Sequence, residues 1–248
     1  MNEKDLASII KERESGINAN ERARYAPTTS TAFGTLMRKV YVWMALALVI
    51  TGLAAFYVAN SGFIFTLLNN QVLFWGLIIA ELALVIGLSA AINKLSLTMA
   101  TLMFVLYSVI NGVTLSSIFL IYTSESITQV FLITAGTFGA MALIGYNTKK
   151  DLTSMGKYLL MALIGLIIAT LVNIFFKSSG MSMIISYVGV LIFVGLTAYD
   201  SQKIKEMCNS IEYVDESAQK LALLGALTLY LDFINLFIYL LRIFGKRE

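Results

Sequence analysis

The sequence predicts an all-α membrane protein, a polytopic bundle of seven transmembrane helices. Three observations predict it. Hydrophobic residues make up 58% of the 248 and charged residues only 13%, where a soluble domain carries about 25% charge. Mean hydropathy is +0.80. The apolar residues also gather into seven stretches, each near the ~20 residues a helix needs to cross a bilayer. Helices are required because lipid offers no partner to backbone polar groups. A barrel would show alternating segments of about ten residues, and these stretches do not alternate.

Residues 1–39 read as a charged tail ahead of a transmembrane domain at 40–248. The tail holds Lys4, Lys11, Arg13, Arg22, Arg24, Arg38 and Lys39 against Glu3, Asp5, Glu12, Glu14 and Glu21. Seven against five is nearly balanced, so nucleic acid is not an expected partner. No apolar core follows an early basic stretch, so the tail is not read as a signal peptide. Residues 5–14 fit a short polar helix. Pro27 and the run Thr28-Thr29-Ser30-Thr31 read as a linker.

The spans are expected near 40–60, 72–92, 97–121, 128–147, 158–176, 182–201 and 219–243, joined by short connections except for the last. No internal repeat is visible, so an inverted-repeat transporter has no support. Lysine and arginine bias sets orientation. Lys94, the pair Lys149 and Lys150, and Lys203 with Lys205 fall in alternate loops, while the loops between hold only Glu125 or Lys177. This places the N-terminus in the cytoplasm. The C-terminal Arg242, Lys246 and Arg247 conflict with seven crossings. Either the last segment crosses despite them, or it is re-entrant and returns. The lack of a cleavable signal and of retention motifs fits a bacterial plasma membrane best, with an internal eukaryotic membrane as the alternative.

Composition excludes several chemistries. Histidine is absent and cysteine occurs once, at Cys208, which rules out a histidine triad, histidine-ligated zinc or haem, and an internal disulfide. Cys208 is expected as a reduced thiol in the loop after span six. No nucleotide loop, nucleophile elbow or zinc-helix motif is present. An intramembrane aspartyl protease would use two aspartates on neighbouring helices, but Asp232 lacks the glycine that such enzymes place before it. No enzyme and no bound cofactor are expected.

The informative residues are acids inside apolar helices, where insertion costs roughly 2.5–3.5 kcal/mol for an aspartate. Glu81 lies in mid-span two, Asp232 in mid-span seven and Asp200 at the inner end of span six. No lysine or arginine lies at their depth; Lys94 and Arg242 are at helix ends. Two carboxyls that meet in low dielectric share a proton and titrate as a pair. Ionised, they repel unless a cation lies between them, and hard cations such as calcium prefer oxygen ligands. One device thus offers a proton sensor, a cation site and a gate. The plainer reading is a hydrogen bond between protonated acids used for packing. Ser108, Asn111, Thr114 and Ser117 form a polar stripe on span three, read as interhelical glue or a cation path. Asn173 and Asn235 are read as glue, with Asn235 placed to orient Asp232. Ala135 with Gly139 and Gly136 with Ala140 suit close helix packing.

Ala198-Tyr199-Asp200-Ser201-Gln202, followed by Leu229-Tyr230-Leu231-Asp232-Phe233-Ile234-Asn235-Leu236-Phe237, resembles the signature of the Bax-inhibitor (TMBIM-type) membrane proteins, and Lys149-Lys150-Asp151-Leu152 also fits. The resemblance covers about residues 33–245. It implies a bundle with the last helix central and a pH-sensitive calcium leak. It implies that Asp200 and Asp232 are the hydrogen-bonded proton sensor, with calcium held at that pair, and that Glu81 matches a glutamate of span two. Family members tend to carry an arginine at the inner end of span two that latches onto the pair. Here Lys94 stands nearby, a point charge without the bidentate fork. Three functions follow. The first is a calcium leak gated by protonation of Asp200 and Asp232, with Glu81, Lys94 and Asn235 as path or latch. The second is a non-conducting regulator that binds a membrane protease or cell-death protein through the tail. A proton-coupled transporter using the same carboxylates is a third.

Overall fold

The computed structural model describes residues 29–211 and 213–247. Among the described residues eight α-helices follow in order: α1 Thr29–Asn60, the short α2 Phe63–Asn69, α3 Gln71–Ala91, α4 Leu97–Leu115, α5 Ser124–Asn147, α6 Thr153–Phe176, α7 Ser179–Asn209 and α8 Glu216–Phe244. A tight 3₁₀ turn, Ser116–Leu120, extends α4. Among the described residues, seven helices are long and apolar enough to cross a membrane. The polar connections double as caps: Asn70, Ser96, Thr123, Ser178 and Asp215 each accept a backbone N–H from the turn they start. These bonds satisfy donors that the helix itself leaves unpaired.

The last helix is central. Two thirds of its most apolar stretch is buried (67%), against 44% for α7 and 6% for α3 and α6. It packs on α7, α1, α5 and α4, while α6 rests on α7 and α3 on α4 and α2. Its leucines, Phe233 and Phe237 form the middle of the hydrophobic core.

Both ends of α8 are anchored, which decides between a crossing and a re-entrant segment. At its start, Glu216 accepts from the Leu97 backbone N–H and Lys220 donates to the Leu95 carbonyl. At its end, Thr123 N–H donates to the Lys246 carbonyl (3.1 Å) and Lys246 N–H to Ser126 Oγ (2.9 Å). Residues 95–97 and 123–126 lie at opposite ends of α4 and its 3₁₀ extension. The last helix therefore runs the full height of the bundle without a break, and the C-terminus emerges opposite Lys94.

Three expectations are corrected. The helix that carries the first span already begins at Thr29, ahead of the span expected from 40, and Ala32, Leu36, Met37 and Val40 are buried. Residues 29–31 are thus helix rather than linker; residues 1–28, including the expected polar helix at 5–14, lie outside the described residues. Helix α7 continues beyond 201 to Asn209, so Cys208 is a buried helical thiol and not a loop residue. The small residues of α5 do not pack on a helix: no atom lies within 4 Å of where a Cβ on Gly136 or Gly139 would stand. Gly139 instead lines an apolar groove of about 480 Å³ with Met44, Phe138 and Leu143.

The close approaches are elsewhere. A Cβ on Gly112 would stand 2.5 Å from the Thr51 carbonyl oxygen, and one on Gly145 would stand 2.0 Å from that of Ala198. These two glycines let α4 touch α1 and α5 touch α7.

The loop 148–152 is pinned to α7 by one side chain. Gln202 accepts from the Leu152 N–H and donates to the Lys150 carbonyl, both at 2.8 Å. In the same loop, hydrogen bonds from Thr153 hold the exposed Asp151 carboxyl below the usual range. Gln202→Ala should lower stability by about 1–3 kcal/mol, because two backbone groups lose their partner. Thermal unfolding in detergent and faster amide exchange at 150–152 would show it.

Candidate functional site

Two consecutive features of α7 bring Asp200 to α8. Gly145 admits the Ala198 backbone, and Gly156 faces the Tyr199 ring, so α7 is held closely by both neighbours just before Asp200. The Asp200 and Asp232 carboxyls lie within hydrogen-bonding reach of each other. Such a contact needs a proton on one of them. Asp232 is buried, 4% exposed, and its Oδ2 meets no N–H or hydroxyl donor among the described residues. A proton shared with Asp200 would satisfy it. Asp200 is half-buried, with the Lys203 ammonium nearby.

The pair opens on a cavity of about 650 Å³, whose walls come from α3, α4, α6, α7 and α8. Glu81, Asp200, Asp232, Asn111 and Asn235 all line it. Three intramembrane acids from three helices therefore face one space. Among the described residues no three acids or thiols converge tightly enough to hold a metal ion. The pair thus presents two carboxyls on an open wall, not a closed cage of ligands.

Glu81 has partners of its own. Thr114 Oγ1 donates to Glu81 Oε1 at 2.5 Å, and the Asn111 amide lies next to the same carboxyl. Asn111 Oδ1 accepts from Tyr230 Oη (3.0 Å), which contacts Thr51 Oγ1 (2.7 Å), and Thr51 donates to the Ser108 carbonyl (2.9 Å). The polar stripe of α4 is interhelical glue, as one reading had it, and it also reaches an intramembrane acid. Tyr230 was missed. Its position two residues before Asp232 was visible, but nothing in the order of residues showed that it faces Asn111.

Two expected contacts are absent. Lys94 is exposed in the turn after α3 and forms no ion pair with either aspartate. The latch is not made in this structure because that turn leaves Lys94 exposed and away from the pair. Asn235 lines the cavity but donates to the Leu231 carbonyl one turn back (2.8 Å) and does not orient Asp232. Asn173 is not glue either; it accepts from Ser178 N–H at the end of its own helix.

The description "Inhibitor of apoptosis-promoting Bax1" matches residues 34–248. The chain belongs to the Bax inhibitor family. Among its relatives, the inner membrane protein YbhL of Escherichia coli (strain K12) is 55% identical over 216 residues, which cover 86% of this chain and 92% of that one. An uncharacterized protein of Borreliella burgdorferi is 48% identical over 213 residues, covering 86% and 92%. Another from Rickettsia prowazekii is 46% identical over 212 residues, covering 86% and 89%. The match begins at residue 34, inside α1, so the Bax inhibitor fold comprises the whole bundle of transmembrane helices.

Proposed function

We propose that this Bax inhibitor family member is a pH-gated calcium leak of a bacterial inner membrane, with its N-terminus in the cytoplasm and no covalent chemistry of its own. The observation that carries the reading is the buried Asp200–Asp232 contact on the wall of a cavity that Glu81 also faces. Intramembrane acids are costly and mark substrate or ion pathways and proton relays. Oxygen donors suit calcium.

With one proton between them, the carboxyls tie α7 to α8 and close the path. When the proton leaves, two carboxylates repel in low dielectric and the helices part, or a cation takes the proton's place. Protonation biases a two-state element. The sign follows: flux rises as pH rises through loss of the shared proton. Calcium flux into proteoliposomes at several pH values, wild type against Asp232→Asn, tests it. The asparagine amide donates to Asp200 at every pH, so this variant should fold, stay closed and lose pH dependence. Wild-type flux no greater than in empty liposomes, or an unchanged pH profile in Asp232→Asn, would overturn the reading. Absent flux from folded protein would favour a regulator that acts through residues 1–39.

A further inference from the structure

Tyr230 and Asp232 stand two residues apart, about 200° around α8, so they face opposite sides of the central helix. Asp232 faces α7. Tyr230 faces α4 and α1, where it is fully buried between the Phe104 and Tyr107 rings, both edge-on at 6.0 and 5.7 Å. Its hydroxyl sits in a series of polar groups that starts at the cavity with Glu81 beside Asn111 and continues by hydrogen-bond contacts through Tyr230 and Thr51 of α1 to the Ser108 carbonyl.

Counting protons along this series gives two answers. With Glu81 ionised, Asn111 turns its N–H toward the carboxylate and its oxygen toward Tyr230, the orientation observed. Tyr230 then spends its single proton on Asn111. Thr51 has one proton for two acceptors, the Tyr230 oxygen and the Ser108 carbonyl, so one of the two short contacts is left without a hydrogen. With Glu81 protonated, its O–H donates to the Asn111 oxygen after the amide turns over. Asn111 N–H then donates to Tyr230, Tyr230 to Thr51, and Thr51 to Ser108. Every contact is filled. One O–H bond forms, at Glu81; each other proton stays on its own atom and changes direction only. Amides and hydroxyls reorient to suit their partners in this way.

We propose that Glu81 is a second proton site, read out by reversal of the Asn111–Tyr230–Thr51 chain, which tightens α8 against α4 and α1 when Glu81 is protonated. The site is distinct from the aspartate pair and stands whether or not calcium crosses the cavity. The groups around Glu81 permit this. From α4, Thr114 donates to it and Asn111 lies beside it, with the Tyr107 hydroxyl near; from α8, Tyr230 is near and Asp232 stands across the cavity; from α7, Asp200, itself near Lys203, faces the same space. Helix α6 contributes apolar Leu160, Leu163 and Ile167 to that space. Because one helix carries both clusters, a turn of α8 that parts Asp232 from Asp200 also pulls on the Tyr230 chain.

The test is infrared difference spectroscopy, acid minus alkaline, on the full chain in lipid. The wild type should show a protonated-carboxyl band and a tyrosine C–O band that titrate together. Tyr230→Phe should lose the tyrosine component, and Glu81→Gln both. Asn111→Leu should keep a titrating carboxyl but lose the coupled tyrosine change. The double variant Asp200→Asn, Asp232→Asn should keep the coupled pair of bands. Four results overturn the proposal: no tyrosine component in the wild type, one that survives in Glu81→Gln, one that survives in Asn111→Leu, or one that vanishes in the aspartate double variant. The double variant also separates this site from the gate proposed above, since it abolishes pH-dependent flux without touching the relay.

Discussion

Gly145→Ala should destabilise the bundle by about 3 kcal/mol, at the upper end of what overpacking does, while Gly139→Ala should change stability by no more than about 0.5 kcal/mol. The chemistry of the two changes is identical and both sit on α5. At Gly145 the new methyl would stand 2.0 Å from the Ala198 carbonyl oxygen. That atom is backbone, so no side-chain rotation relieves the clash; α7 itself has to move. At Gly139 the methyl meets open space, and alanine is the better helix former. Unfolding in detergent, followed by circular dichroism, compares them. Because Ala198 is two residues from Asp200, the shift of α7 in Gly145→Ala should also disturb the carboxyl contact, so folded protein that survives should leak at a pH where the wild type is closed. Equal stability of the two variants would mean that α5 and α7 do not cross at this glycine.

The same pair shows what a single sequence can and cannot carry. Length and hydropathy identify seven membrane-crossing helices because the bilayer sets both. Asp200 and Asp232 stand out because charge is rare at their depth. Which small residue is packed does not stand out: the paired small residues of α5 match a packing motif, yet Gly136 and Gly139 face no helix, while the true crossings are Gly145, in no such motif, and Gly112, whose motif with Ser108 and Ser116 looks no different from those of α5. Contact depends on how helices are arranged, and spacing within one helix does not encode it. Two boundary errors were avoidable. Ala32, Leu36 and Val40 recur every four residues and are buried, but Arg38 and Lys39 hid that period; Lys39 reaches Gln219 of α8. Ser201, Ile204 and Cys208 repeat similarly and are buried, although lysines between them suggested a loop. The relay was not legible. Asn111 and Glu81 were each conspicuous, but joining them through Tyr230 to Thr51 requires four helices in place.

Alanine and asparagine at the aspartate pair should have opposite effects on flux. In Asp232→Ala nothing donates to Asp200 across the α7–α8 contact, so the closed state loses a hydrogen bond to a charged group, about 1.5–3 kcal/mol. That corresponds to about 10- to 150-fold in the open-to-closed ratio. Calcium flux at acid pH should rise toward the wild-type alkaline value and stop responding to pH. The paired change Asp200→Ala should open the path in the same way but fold less well. Removing Asp232 leaves a half-buried carboxylate near Lys203, which can screen it. Removing Asp200 strands Asp232, 4% exposed, with no donor for Oδ2 among the described residues, and an unsatisfied buried group costs about 1–3 kcal/mol. Stability measured beside flux separates the two consequences. If both alanine variants stay closed at acid pH, the contact packs the helices and does not gate them. If both open but are equally stable, the asymmetry between a solvent-side and a buried carboxyl is not what positions the shared proton.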